Sequence, residues 1–264
     1  MSWHSAPTAR QAQIQLRVIW ALALRESLTR YGRHNIGFLW LFGEPMIFTL
    51  GITAFWTVTK AIHGSDLPIV PFAVTGYSSV LLWRNMPGRL LNGVSANAGL
   101  MHHRNVRLTD IYFARLLLES GGVTMSFGFL SLFFISIGWM KAPEDVLGVL
   151  WGWLLLNWFG WSLGLTLGSV SERSEVIEKL WHPLTYFLFP LSGAAFIVSG
   201  LPEITQSYVL LLPMVHAVEI IREGFFGSAF KAHYDTGYLV AWNSALTLIG
   251  LSNTLFLSRR VTPS

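Results

Sequence analysis

The sequence predicts an all-α polytopic membrane protein: an N-terminal interfacial helix, six transmembrane helices, and short re-entrant helices in the connection between the fifth and sixth. Three observations lead there. Apolar residues make up 52% of the 264 and charged residues only 12%, where a soluble domain carries about a quarter charged. The mean hydropathy is +0.49, and the apolar residues fall in long runs that lipid solvates and a soluble core does not need. Arginine and lysine are shared unequally between alternate connections, as expected of a chain threaded through a bilayer.

The elements follow in order. Residues 10–31 contain no Pro or Gly and read as a helix. Its apolar residues, among them Ile14, Val18, Trp20, Leu24 and Leu28, spread around more than one face. That suits a helix lying in the cytoplasmic interface and packed partly against the bundle. A membrane helix needs roughly 20 mostly apolar residues, and residues 38–59, 112–140, 146–170 and 238–257 meet this. Two further stretches are less uniform. Residues 67–90 begin with an apolar run, Leu67 to Trp83, that meets Arg84, and residues 181–199 hold Pro183 and Pro190. Membrane helices tolerate proline where neighbours satisfy the freed carbonyls. The whole of 1–264 is expected to form one transmembrane domain.

Arg10, Arg17, Arg25, Arg30 and Arg33 precede the first span, Arg89, Arg104 and Arg107 follow the second, and Arg259 and Arg260 follow the sixth. The opposite side has only Lys60, Lys141, Arg222 and Lys231. An even number of spans then puts both termini in the cytoplasm. The first apolar run follows an arginine-rich stretch without a small-residue cleavage site, so no removable signal peptide is expected. Residues 200–235 mix apolar runs with Pro202, Pro213, Glu219, Arg222 and Glu223. These runs are too short to span and too apolar for open water; re-entrant helices covered by protein satisfy both facts.

Several chemistries are excluded or disfavoured. There is no cysteine, hence no disulfide, thiolate metal site or cysteine nucleophile. The eight histidines show no metal-ligand spacing, so no metal site is expected. The basic residues flank spans and form no aromatic-interleaved patch, which argues against nucleic-acid binding. No Gly-Lys dipeptide occurs, so the chain has no P-loop, needs no cofactor of its own, and relies on another polypeptide if it is an active pump.

Candidate functional residues come in groups. Glu44, followed by Pro45, sits about two turns inside the first span, a depth at which a carboxylate costs a few kcal/mol and usually faces the bundle or water. It reads either as a channel-wall residue or as a structural ion-pair partner of Arg84 or Arg89. Those arginines line a pore if the second helix continues past Trp83, and anchor at the interface by snorkelling if it stops there. His216, Glu219 and Arg222 are neighbours on a helix at spacings of three, as a self-satisfied polar cluster or as an exit gate. Gly160, Gly164 and Gly168, continued by Gly148 and Gly152, form a small-residue ladder for close helix packing. Of the twelve tryptophans, most fall at span ends as interface anchors. Trp158 and Trp161 lie deeper and are candidates either for packing or for lining a sugar path.

Three stretches together resemble one family, the ABC-2 polysaccharide-export permeases. Arg30-Tyr-Gly-Arg-His-Asn-Ile-Gly37-Phe-Leu-Trp40 with Glu44-Pro45 resembles the start of their first span. The Glu-Pro step is more similar to the capsular-polysaccharide branch than to the O-antigen or teichoic-acid branches. Pro190-Leu-Ser-Gly193 with Ala195-Phe196 and Leu201-Pro202 resembles that branch's fifth span and its exit. His216, Glu219, Arg222, Gly224-Phe-Phe-Gly227 and Tyr234-Asp235 resemble its re-entrant segment. The resemblance runs in order from about residue 10 to residue 258.

The resemblance implies an inner-membrane homodimer working with two copies of a separate ATPase that binds ATP and Mg. It implies export of a lipid-linked, usually acidic capsular polysaccharide from cytoplasm to periplasm. A periplasmic co-polymerase and an outer-membrane polysaccharide export protein are the further partners implied. ATPase-coupling segments would lie around Asn97 to Arg107 (Asn97, His102, Arg104, Arg107) and Ser171 to Lys179 (Glu172, Arg173, Glu175). The alternatives are an O-antigen or teichoic-acid exporter permease, or a secondary transporter. The last often carries internal repeats and mid-membrane coupling carboxylates, which this sequence does not display.

Overall fold

The computed structural model describes residues 8–31, 36–59, 67–91, 93, 94, 97, 99 and 106–261. Among these residues there are nine α-helices and no strand. They are α1 (Thr8–Tyr31), α2 (Ile36–Thr59), α3 (Ile69–Leu90), α4 (Leu108–Ser136) and α5 (Val146–Ser171), then α6 (Glu175–Leu191), α7 (Glu203–Val209), α8 (Pro213–Phe226) and α9 (Thr236–Val261). Single 3-10 turns occupy Val198–Gly200 and Gly227–Ala229.

The helix over the second expected span is the centre of the bundle. α3 is buried without interruption from Val70 to Trp83, enclosed by α2, α4, α5 and α8. That placement explains its polar content. Thr75 and Ser79 return their hydroxyls to the Pro71 and Thr75 carbonyls at 2.7 and 2.6 Å, so neither exposes an unpaired group to lipid. The helix does not stop at Trp83. It continues through Arg84 and, with Pro87 inside it, ends at Leu90.

α5 packs on two partners through its glycines. A Cβ on Gly160 would lie 3.1 Å from the Trp83 Cα, and one on Gly168 would lie 2.6 Å from the Leu90 Cβ, both on α3. One on Gly152 would lie 2.9 Å from the Ile221 backbone nitrogen on α8. The ladder therefore divides, its later glycines serving α3 and its earlier ones α8. On α5's other side, Asn243 of α9 donates to the Leu155 carbonyl at 3.0 Å, and Thr166 donates to the Leu246 carbonyl at 2.9 Å. α1 lies against α4 and α2, tied by Glu26 to Arg115 at 3.3 Å.

Helix ends follow local chemistry. α4 begins at Leu108, ahead of the expected 112–140, because the Arg107 N–H donates to Asp110 Oδ2 at 2.9 Å in a capping arrangement. α6 begins at Glu175 and ends at Leu191, offset toward the N-terminus from 181–199. Glu175 and Glu178 occupy its first turn, where the helix dipole favours carboxylates. Gly193, at φ +82, closes it in the left-handed region that glycine adopts without strain.

Among the described residues, four helices are long and apolar enough to cross a membrane: α2, α4, α5 and α9. The α7–α8 pair, bent by 107°, makes a fifth crossing if counted as one broken span. α3 is diluted by Arg84, Asn85 and Arg89, and α6 has only 17 residues with two prolines.

Candidate functional site

Glu44, Arg84 and Arg89 meet in one open cleft of about 230 Å³. Glu44 comes from α2, the arginines from α3, and Trp181, His182 and Tyr186 from α6 close the third wall. Glu44 pairs with neither arginine, so of its two readings the ion pair between α2 and α3 is not formed. Arg89 instead donates from Nε to Glu119 Oε2 on α4 at 3.0 Å. One turn earlier on α4, Arg115 donates to the Arg89 carbonyl at 2.9 Å and pairs with Glu26 of α1 at 3.3 Å. Arg84 lies half-buried with its guanidinium 5.9 Å from the Phe48 ring centroid.

His216, Glu219 and Arg222 are buried together on α8, the latter two completely. Arg222 donates to the Gly193 carbonyl, to Phe196 O at 2.7 Å and to Ala194 O at 2.8 Å. Its guanidinium lies 3.8 Å over the Phe72 ring of α3. One side chain thus caps the turn after α6 and joins it to α3 and α8. Glu219 accepts from the His233 N–H at 2.9 Å and the Val198 N–H at 3.5 Å. His216 accepts the Asp235 N–H on Nδ1 at 2.8 Å, so Nε2 carries the proton that reaches the Leu210 carbonyl at 2.7 Å. Every member is bonded to loop backbone, an arrangement that fixes three otherwise irregular segments around α8.

The coupling candidates divide. His102 and Arg104 lie outside the described residues. Asn97 is buried and donates to Gly93 O at 2.8 Å, while Glu172 Oε1 accepts the Val94 N–H at 2.7 Å. The connection after α3 and the one after α5 are therefore bonded to each other. Burial holds the Glu172 carboxyl above the usual carboxylate range, against the opposing Val94 bond. Arg107 stands at the start of α4, Arg173 lies 5.1 Å over the Phe256 ring of α9, and Glu175 pairs with Lys179 at 3.2 Å on an exposed face. Only residues 172–174 separate α5 from α6, so most of the expected 171–179 connection belongs to helices. Glu172→Ala is expected to expose the Val94 amide to hydrogen exchange about tenfold faster, for a bond worth about 1.4 kcal/mol. Glu172→Gln, which keeps an acceptor oxygen, should exchange near the wild-type rate.

With this geometry in view, comparison with known proteins is decisive. Residues 17–226 match the family of ABC-2 type transporters. The chain belongs to that family. It is 44% identical, over 95% of its length and 94% of the relative's, to the capsule polysaccharide export inner-membrane protein CtrC of Neisseria meningitidis serogroup B. It is 40% identical to the capsule polysaccharide export inner-membrane protein BexB of Haemophilus influenzae, over 100% of both chains. The polysialic acid transport protein KpsM of Escherichia coli is 26% identical, over 91% of this chain and 93% of that one. The family resemblance drawn from the sequence, to ABC-2 permeases of the capsular-polysaccharide branch, agrees with these relatives.

Within this ABC-2 chain the two deep tryptophans stand apart from the cleft. Trp158 donates from Nε1 to Thr247 Oγ1 of α9 at 2.9 Å, and Trp161 packs on Phe113 of α4 at 5.7 Å between centroids. Both line a separate depression with Leu154 and Asn157. The α6 wall of the cleft was not singled out from the sequence. His182 and Tyr186, one turn apart on a helix, were a signal that would have found it. Glu119 and Arg115 were also missed as partners, although ionisable residues inside a span warrant a search for one.

Proposed function

We propose that this chain is the transmembrane permease subunit of an ATP-driven exporter, moving lipid-linked, acidic capsular polysaccharide from cytoplasm to periplasm. The observation that carries the reading is the charged cleft between α2, α3 and α6, two of whose walls leave large apolar side chains uncovered. α2 exposes Ile47, Phe55 and Val58, and α6 buries only Trp181 and Thr185 while Leu184 and Phe187 stay exposed. A polyanion needs a wide, water-filled path, because each bare charge costs several kcal/mol in hydrocarbon. Two copies joined by these faces enclose such a path better than one. Full-length similarity to capsule export proteins supports the cargo.

In this reading α2, α3, α4, α5, α6 and α9 are six spans of an inner-membrane protein with both termini in the cytoplasm. α1 lies in the interface, and α7–α8 re-enter from the periplasm. Two ATPase subunits, which bind ATP and Mg, dock on the bonded connections around Asn97 and Glu172, where His102 and Arg104 would add positive charge. His216, Glu219 and Arg222 hold the periplasmic exit in shape. A co-polymerase and an outer-membrane export protein continue the route.

Two experiments test this. Expressed with its ATPase in a host lacking its own permease, the chain should restore antibody-detectable surface polysaccharide; an ATPase with its Walker lysine replaced should not support it. Export without any ATPase, under an ion gradient alone, would identify a secondary transporter instead. The absence of native cysteine makes cross-linking unambiguous. Phe187→Cys on α6 should give an oxidised dimer in membranes, and Leu132→Cys, exposed on α4, should stay monomeric.

A further inference from the structure

The two arginines of the cleft are not equivalent. Arg89 is held by Glu119 at 3.0 Å, and its carbonyl receives Arg115, so its guanidinium is already neutralised by the fold. Arg84, on the same helix, forms no ion pair with any described residue, and its guanidinium lies 5.9 Å from the Phe48 ring centroid. A half-buried guanidinium without a counterion is costly next to hydrocarbon. Its planar fork of five donors matches a carboxylate or phosphate in two parallel bonds. The rest of the cleft has a different chemistry. Glu44 stands on the α2 wall, and His182 and the Tyr186 hydroxyl stand on the α6 wall, both exposed. Glu44 repels a second anion, whereas all three side chains hydrogen-bond hydroxyls.

We infer that Arg84 is the anion-recognising residue of the cleft, taking a single carboxylate or phosphate flanked by sugar hydroxyls that Glu44, His182 and Tyr186 bind. The inference rests on the export reading and narrows it. Specificity lies in one anion at one arginine, and Arg89 contributes to the fold instead of to the ligand. The anion is either the carboxylate of an acidic glycosyl residue or the phosphate that joins a sugar to its lipid.

The test uses the full chain in phosphatidylcholine nanodiscs and calorimetric titration with three probes. These are a glucuronate-containing tetrasaccharide, its carboxyl-reduced counterpart, and a short-chain phosphatidylglycerol. Wild type should bind at least one charged probe tenfold or more tightly than the reduced sugar, and whichever charged probe is tighter names the source of the anion. Arg84→Gln should erase that preference by weakening the charged probe, and Arg84→Lys should keep part of it. A wild-type chain without charge preference, or an Arg84→Gln chain that retains it, overturns the inference, and the wild-type measurement decides even if the variant does not fold. A chain that restores surface polysaccharide yet binds both sugars equally sinks this inference and leaves the export reading standing. Failure to restore export, with charge preference intact, does the reverse.

Discussion

Arg222→Met is expected to lower the melting temperature of the detergent-purified chain by roughly 10 °C and to deplete it from the membrane. The substitution keeps much of the volume and removes the donor that serves the Gly193, Ala194 and Phe196 carbonyls. Those carbonyls lie in a turn closed by Gly193 at φ +82, where no helix continues to satisfy them. Glu219 would remain fully buried with backbone N–H groups as its partners. Breaking a buried charged network by removing one member costs about 3–5 kcal/mol, a large part of a folding stability of about 5–15 kcal/mol. At 2–4 °C per kcal/mol, the lower half of that range gives the shift stated. Lysine should rescue little, because one ammonium cannot reproduce a planar fork reaching three oxygens. The double variant Arg222→Met/Glu219→Gln should be less destabilised than the sum of its singles, since the two charges no longer strand each other. If Arg222→Met instead retains abundance and melting temperature but abolishes export, the cluster works as a gate and does not hold the fold. Gly76 shares the same contact. A Cβ there would stand 2.6 Å from Ala194 O and 2.8 Å from Arg222 Nη2, so α3 approaches the clamp only because this residue has no side chain.

Much of the fold was legible from apolar runs alone, because a helix that meets lipid on most of its surface must be apolar on most of its surface. α2 and α9 are of that kind; α4 and α5 are more enclosed yet still apolar along their length, and all four lie within a few residues of their expected bounds. α3 was harder for the opposite reason. Protein encloses it, so it need not be apolar all round: Thr75 and Ser79 are buried there with their hydroxyls bonded to carbonyls of their own helix, and a hydropathy average reads that polarity as weakness. The glycine spacing of α5 announced close packing but not its partners, since Gly152 meets α8 and Gly168 meets α3. The candidate site was legible by residue type. Glu44, Arg84 and Arg89 do converge, and His216, Glu219 and Arg222 do share one buried cluster. Pairing was not legible. Arg89 chooses Glu119 over Glu44, and Glu172 reaches Val94 from 78 residues away, because partner choice depends on how helices rotate and cross. One sequence contains no direct record of that.

Gly224→Ala should be strongly damaging for so conservative a change. A Cβ at this position would lie 2.5 Å from the Val149 nitrogen, 2.8 Å from the Gly148 carbonyl carbon and 2.9 Å from the Asp145 oxygen. All three are backbone atoms at the start of α5, so no side chain can rotate away. The facing residue is itself a glycine, whose own Cβ would lie 3.3 Å from the Gly224 Cα. Two backbone bonds seal the crossing, from the Asp145 N–H to Gly224 O at 2.8 Å and from the Glu144 N–H to Phe225 O at 3.3 Å. An added methyl must push α8 off α5 and lengthen both, at about 3 kcal/mol for overpacking that cannot relax. The shift would also drag Arg222, less than one turn earlier on α8, away from the carbonyls it caps. Gly121→Ala on α4 is the matched control, with nothing within 4 Å of the new Cβ. There alanine gains the roughly 0.5–1 kcal/mol by which it favours a helix over glycine. Melting curves of the two variants should therefore move in opposite directions, down by 5 °C or more for Gly224→Ala and unchanged or slightly up for Gly121→Ala, on the scale of about 2–4 °C per kcal/mol. Surface polysaccharide should be lost with the first and kept with the second. A Gly224→Ala chain that melts like wild type would mean that α8 and α5 are not in backbone contact at this crossing.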